Sequence, residues 1–315
     1  MGTHPQASRQ ATAVGRTLTT LQSWNGKLYS GFGDYSANTG PIALTPFDGI
    51  CFAAAPELKA DTEAVWTFRV IGGKLYAPSI DPRRRADFAV GMSANAGVTW
   101  SNPTVVRATH AYDVASVTGS DLWIVGSDGA EAAAWRSLDG GAAWRKVLAV
   151  PPVSGVAGDY ARFYGAGVYQ GKLYLQATDF QGGPHPSTNV FDGESWANGP
   201  SLGTFNHAHV FAGRLLYHGG FHAGWSSAYL KAFDGIGLET VLPRRIYDYT
   251  LHGNEVYSLA GDGRIRKTTN LATWTDVADA PDMARSIAVF NGSIFVGGTD
   301  STLYNFPLPQ AAPKL

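Results

Sequence analysis

Ser137-Leu138-Asp139-Gly140-Gly141-Ala142-Ala143-Trp144 is the stretch on which the reading of this chain turns. A Ser and an Asp two residues apart can both hydrogen-bond the backbone of a tight turn. Gly141 supplies a backbone conformation that residues with a Cβ resist, and Trp144 is large enough to anchor the turn on a core. Two weaker copies accompany it. Ser93-Ala94-Asn95-Ala96-Gly97-Val98-Thr99-Trp100 has Asn in place of the Asp, and Thr268-Thr269-Asn270-Leu271-Ala272-Thr273-Trp274 is one residue shorter and lacks the Gly. A motif that recurs within one chain marks a repeated unit.

Around these copies runs a second repeat: an apolar run, a two-residue turn containing Gly, and another apolar run. The turns are Asn25-Gly26, Gly72-Gly73, Gly119-Ser120, Gln170-Gly171, Ala212-Gly213, His252-Gly253 and Asn291-Gly292, and their second residues are 47, 47, 51, 42, 40 and 39 positions apart. Asn-Gly and Gly-Gly between alternating apolar runs are strong hairpin signals. Seven hairpins at this spacing predict an all-β chain, a seven-bladed β-propeller of four-stranded antiparallel blades. Residues 1–306 are then a single propeller, and 307–315 are a C-terminal tail. Phe47-Asp48-Gly49, Phe191-Asp192-Gly193 and Phe233-Asp234-Gly235 supply closing turns in the first, fourth and fifth blades. The last unit runs out of strands after Phe306, so Gln10 to Val14 are expected to complete it and remove two open edges.

Composition agrees with short strands and many turns. Gly makes up 38 of 315 residues and aromatics 12%, a pairing of turn formers with β formers. Charged residues are 16% and the formal net charge is −1, which disfavours nucleic acid and anionic membranes as partners. No run of about 18 apolar residues occurs and Met1 to Arg16 is polar, so a soluble chain without membrane insertion is expected. Cys51, the single cysteine, lies in the apolar run Ile50-Cys51-Phe52-Ala53, where burial is the expectation.

Residues 137–144 resemble the Asp box of sialidase-like (BNR-repeat) β-propellers, with 93–100 and 268–274 as weaker matches. The resemblance implies the same fold and a turn on the face opposite the ligand site, so it brings no activity with it. Sialidases of that family use three channel arginines, a Tyr nucleophile with a Glu partner, and an acid. Arg16, Arg162, Arg245 and Arg285 open or precede inner strands here, but the family's Arg-Ile-Pro motif is missing and no Tyr and Glu correspond. The loop Gly33 to Ile42 is similar to one in propeller proteins of bacteriophage tails, which implies a virion or extracellular place.

Long loops on a rigid scaffold concentrate binding residues. The long connections here are 31–41, 79–87, 178–188 and 219–227, and they supply Asp34, Tyr35, Asn38, Arg83, Arg84, Arg85, Asp179, His185, His222 and Trp225. Aromatic faces beside short polar groups suit sugars, whose C–H faces stack while their hydroxyls need polar partners. The alternative is that Asn and Asp serve the turns and the arginines are solvated.

Histidines crowd in the fifth blade. With Ala212-Gly213 as a two-residue turn, Phe211 faces Arg214, His209 faces Leu216 and His207 faces His218. Opposed Cβ atoms lie about 4.5–5.5 Å apart, which makes His207 and His218 candidate acid/base residues and His209 a candidate ligand contact. The alternative is hydrogen bonding to backbone and water. No carboxylate completes a metal set and no cofactor motif is present, so neither metal nor cofactor is expected. The function so implied is recognition of a glycan or polysaccharide by the long-loop face, as part of a phage tail with virion or cell-surface partner proteins. A glycoside hydrolase or polysaccharide lyase with a channel-side site is the alternative, and a protein-interaction scaffold the third reading.

Overall fold

The structure is a computed structural model, and it describes residues 2–81, 88–93, 100–101 and 104–309. The described residues form antiparallel sheets, and their helices are single turns: Ala7–Arg9, Ala13–Arg16 and Tyr35–Ala37. His110–Thr118, Asp121–Asp128, Glu131–Ser137 and Arg145–Val150 make the most regular four-stranded meander. Gly167–Tyr169, Lys172–Leu175, Ser187–Phe191 and Trp196–Pro200 repeat its order. A seven-stranded sheet then runs from Asn206–Phe211 to Thr275–Asp279. Its long strand Leu238–His252 pairs with Ala228–Phe233 and then, along its second half, with Glu255–Ala260, so one segment is shared by two successive units. Earlier in the chain, Thr20–Trp24 and Lys27–Gly31 are extended by single bridges through Phe47, and Arg69–Ile71, Lys74–Pro78 and Phe88–Ser93 carry Trp100–Ser101 and Thr104–Val106 at their edge.

Turn chemistry accounts for the repeat. Asn25-Gly26 has φ of 48° and 71°, and Gln170-Gly171, Ala212-Gly213 and Asn291-Gly292 share this left-handed pair, as a two-residue hairpin requires. The sixth turn is Gly253-Asn254, with His252 opposite Glu255, one residue later than the sequence placed it. The glycine takes the first left-handed position, at φ 58°, and spares His252 from it. Asp48, Asp192 and Asp234 each accept two backbone N–H groups on one carboxylate oxygen, and those bonds hold their carboxyls below the ordinary value. The first of these turns projects Cys51 outward, so the thiol is exposed rather than buried.

In 137–144 the Ser137 Oγ accepts from Gly141 N at 2.8 Å and donates to Asp139, which accepts from Ala143 N at 2.9 Å, while Trp144 Nε1 donates to the Gly141 carbonyl. At 268–274 the same bonds form around Thr268 and Asn270, with buried Leu271 in the left-handed region at φ 63°. The copy at 93–100 falls mostly outside the described residues.

The innermost strands of successive sheets are tied by polar side chains at bulges. Asp113, at the bulge after Ala111, accepts from Ala166 N in the next sheet, and Asp248, at the bulge after Ile246, accepts from Ile287 N. Ser286 Oγ donates to the Leu18 carbonyl at 2.6 Å, which joins the last inner strand to the first. Each tie satisfies a backbone group that a straight ladder would leave open.

The N-terminal segment does complete the last sheet, but through Gly2–Thr3 against Thr302–Pro307, not through Gln10–Val14. Residues 13–16 are instead helical, with Thr12 capping Gly15 N and reaching Asp34 at 2.7 Å. His4 is buried between Phe32 and Phe52, and its backbone N–H donates to the Ser301 carbonyl. Deleting residues 1–15 removes several such bonds at about 1 kcal/mol each and bares the edge of 302–307. A loss of about 2–4 kcal/mol in chemical denaturation is expected, and an unchanged midpoint would show that the segment does not close the sheet.

Candidate functional site

Three of the long connections converge on one cup of about 180 Å³, lined by Tyr35, Tyr112, Arg162, Tyr164, Phe180, Phe221, His222 and Trp225. Each wall has its own local support. Asp34 caps Ser36 N and is held by Thr12, and Asn38 closes the turn in the left-handed conformation, which sets Tyr35 against Trp66. Asp34 and Asn38 therefore shape the loop and do not line the cup. In the next connection Asp179 receives Val153 N and Ser154 N, and its other oxygen meets His185 Nε2 at 2.6 Å, both side chains being buried. This pair is a knot beneath the loop, and the exposed residue it presents is Phe180, stacked on Tyr160.

The third connection is pinned by Asn206, which donates to the Gly220 carbonyl and accepts from Ala223 N. Gly224 lies so close to the first inner strand that a Cβ would come within 1.8 Å of the Thr19 carbonyl oxygen. That approach swings Trp225 onto Trp66, stacked at 5.5 Å, and turns Phe221 and His222 into the cup.

The floor comes from inner strands. Arg162 Nη1 donates to the Tyr112 hydroxyl at 2.7 Å, and its guanidinium lies 4.2 Å from the centre of the Tyr160 ring. Burial pushes the Tyr112 phenol well above its usual value and Tyr164 up to about 12, against the pull of Arg162 beside both. Burial first, then the Arg162 charge, brings His222 down to about 3. The imidazole is neutral at physiological pH, with one ring N–H to donate and one bare nitrogen to accept.

The fifth-unit histidines are arranged differently from the sequence expectation. His209 does face Leu216, but a bulge lies between Asn206 and His209, and it is Asn206 that faces His218. His207 takes φ 51°, turns away from His218 and meets Asp248 at 2.9 Å. His218 is buried, with Nε2 near the Ile246 carbonyl. His207 and His218 therefore do not form an opposed pair. His209 lines a separate cavity of about 480 Å³ at the hairpin end of the inner strands, with Gln22, Arg69 and Ser116. Among the described residues no group of three or more His, Cys, Asp or Glu side chains could hold a metal.

Of the candidates read from sequence, Tyr35, His222 and Trp225 meet in the cup, whereas Arg83, Arg84 and Arg85 lie outside the described residues. Arg162 was legible only as one of four inner-strand arginines. Arg16, Arg245 and Arg285 bond backbone carbonyls elsewhere and do not join it. Tyr112, Tyr164, Phe180 and Phe221 went unnoticed, and the available signal was an aromatic at the start of an inner strand or within a long loop.

No family model matches this chain, and no curated protein matches it. Among solved structures it is similar to virginiamycin B lyase from Staphylococcus aureus, with a TM-score of 0.62 and 11% identity over 95% of this chain and 97% of that one. It is also similar to YCF48 bound to D1 peptide, at 0.58 and 13% over 94% and 95%. YCF48 from Cyanidioschyzon merolae follows at 0.54 and 11% over 92% and 95%. These are β-propeller proteins, and the fold of this chain is a β-propeller. Among the described residues no helix is long and apolar enough to cross a membrane.

Proposed function

We propose that residues 1–306 are a single seven-bladed propeller and that it is a carbohydrate-binding module, taking the terminal ring of a glycan in the aromatic cup. The count of seven, one unit for each hairpin, takes the seven-stranded sheet as two units that share Leu238–His252, and groups the small sheets Ile42–Leu44 with Leu58–Ala60 and Ala161–Phe163 with Ala177–Asp179 and Gly183–Pro184 with their neighbours along the chain. The observation that carries the function is convergence: loops from three separate units and two inner strands bring six aromatic rings, one guanidinium and one neutral imidazole around a single small cavity. At about 180 Å³ it lies below the usual range for a whole drug-sized ligand, roughly 300–1,000 Å³, and matches one ring with the rest of the ligand outside. Phe180, Phe221 and Trp225 remain exposed at the rim as platforms for the units that follow. A cell-surface polysaccharide, met from a virion or an extracellular position, is the partner this reading asks for.

Binding is favoured over hydrolysis because glycoside cleavage needs two carboxylic acids flanking the bond, and the cup lining has none. Trp225→Ala is expected to weaken binding of any glycan that an array identifies by about fivefold, since stacking contributes on the order of 1 kcal/mol. Titration calorimetry on the native and substituted proteins checks this. An unchanged affinity in a folded variant would place the site elsewhere, and release of reducing sugar from a bound glycan would make the protein an enzyme.

A further inference from the structure

We infer that the ring held in the cup bears a carboxylate, as in a uronic acid, with Arg162 as its partner and His222 as a hydroxyl partner. The inference rests on the glycan reading and sharpens it.

Charge is the first argument. Three arginines of the interior are matched with carboxylates, Arg69 with Asp113, Arg136 with Asp121, and Arg266 with Asp262 and Asp276, while the half-buried Arg16 and Arg285 spend their guanidinium groups on backbone carbonyls. Arg162 is half-buried, yet among the described residues it forms no ion pair, and the group that receives its hydrogen bond is the Tyr112 phenol. That phenol is kept neutral by burial, so it leaves the charge uncompensated. Nη1 donates to Tyr112, the Tyr164 phenol also interacts with the guanidinium, and both of these partners are neutral, so part of the five-donor fork stays available to a planar anion.

The second argument is His222. It is 5% exposed, lines the cup, and its ring touches Trp66, Tyr112, Tyr164 and Trp225 without making a hydrogen bond among the described residues. Its ring nitrogens are not among the fully enclosed unpartnered atoms, and the direction in which they can meet a hydroxyl is the cavity. Its neutral ring can both donate to and accept from a hydroxyl.

The third argument excludes the obvious competitor. A cup of aromatic rings is the usual receptor for an ammonium cation, but a guanidinium already stands at the base of this one and repels a second cation. The rings then serve as stacking faces, and the charge selects the ligand's anionic edge.

The test is calorimetric titration with three trisaccharides that differ at the terminal unit: glucuronic acid, its methyl ester, and glucose. Hexapeptide mixtures with free or amidated C-termini form a fourth arm. The acid is expected to bind at least about tenfold more tightly than its ester or glucose, the scale of a hydrogen bond to a charged group. That preference should shrink to about twofold in Arg162→Gln and be intermediate in Arg162→Lys, which keeps the charge but loses the fork. Equal binding of acid, ester and glucose by the native protein would overturn the carboxylate while leaving glycan recognition standing. Binding confined to peptides with a free C-terminus would overturn both. The comparison of acid with ester needs only the native protein, so a substituted chain that fails to fold does not spare the inference.

Discussion

Arg69→Met is expected to remove about 3–5 kcal/mol of stability, the cost of breaking a buried ion pair from one side. Arg69 Nε and Nη2 each lie 2.7 Å from an Asp113 oxygen, and Nη1 donates to the Ala208 carbonyl at 2.8 Å. The side chain therefore joins three inner strands, two of them 139 residues apart in sequence. Its loss leaves Asp113, 1% exposed, with only the backbone donors Val114 N and Ala166 N. The companion Arg69→Met with Asp113→Leu removes both charges and should be less destabilised than the single replacement, because no buried charge is left alone. Urea denaturation measures both. A single replacement that costs under 1 kcal/mol would show that the strut is incidental.

What the sequence revealed and what it hid follow from the range of the interactions. Turns are local: Asn25-Gly26 and the Asp48, Asp192 and Asp234 turns are fixed by residues within four positions, and they stand as read apart from the one-residue shift at Gly253. Bulges are not local. His207 leaves the ladder because Asp248, 41 residues later, offers its carboxylate, and nothing near His207 in the chain announces that partner. The cup was half legible for the same reason. Loop aromatics such as Tyr35 and Trp225 stand out among turn formers. Tyr112 and Arg162 read as ordinary strand residues until the fold brings them together across 50 positions. Asp179 and His185 show the converse error, since a polar pair in a long loop looks like a ligand site and is in fact the buried fastening of that loop.

Between pH 7.5 and pH 5 the melting temperature is expected to fall by about 10 °C or more, because the fold holds several histidines well below their ordinary value. His4 and His218 are 0% exposed, His222 5% and His110 7%. Burial, reinforced by the Arg162 charge at His110 and His222, brings His4, His110 and His222 to about 3, burial brings His218 to about 4, and burial with the His207 and Arg69 charges beside it holds His209 well below the ordinary value. In the unfolded chain each titrates near 6.5. Below that pH the unfolded chain takes up protons that the folded chain refuses, so stability is full above about pH 7 and drains as the pH falls toward the folded values. At pH 5 the difference is about 1.5 units, or about 2 kcal/mol for each imidazole. The turn carboxylates do not contribute in this window. Asp48, Asp139, Asp192 and Asp234 are held below the ordinary 3.8, so what they add is lost only at lower pH. Melting curves from pH 7.5 to 5 test the sum, and His110→Gln, which can still meet the Ser127 hydroxyl that His110 Nδ1 reaches at 2.9 Å, should reduce the slope by about a fifth. A melting temperature that stays flat down to pH 5 would mean that these imidazoles accept protons inside the folded chain, and the acid sensitivity argued from their burial would be wrong.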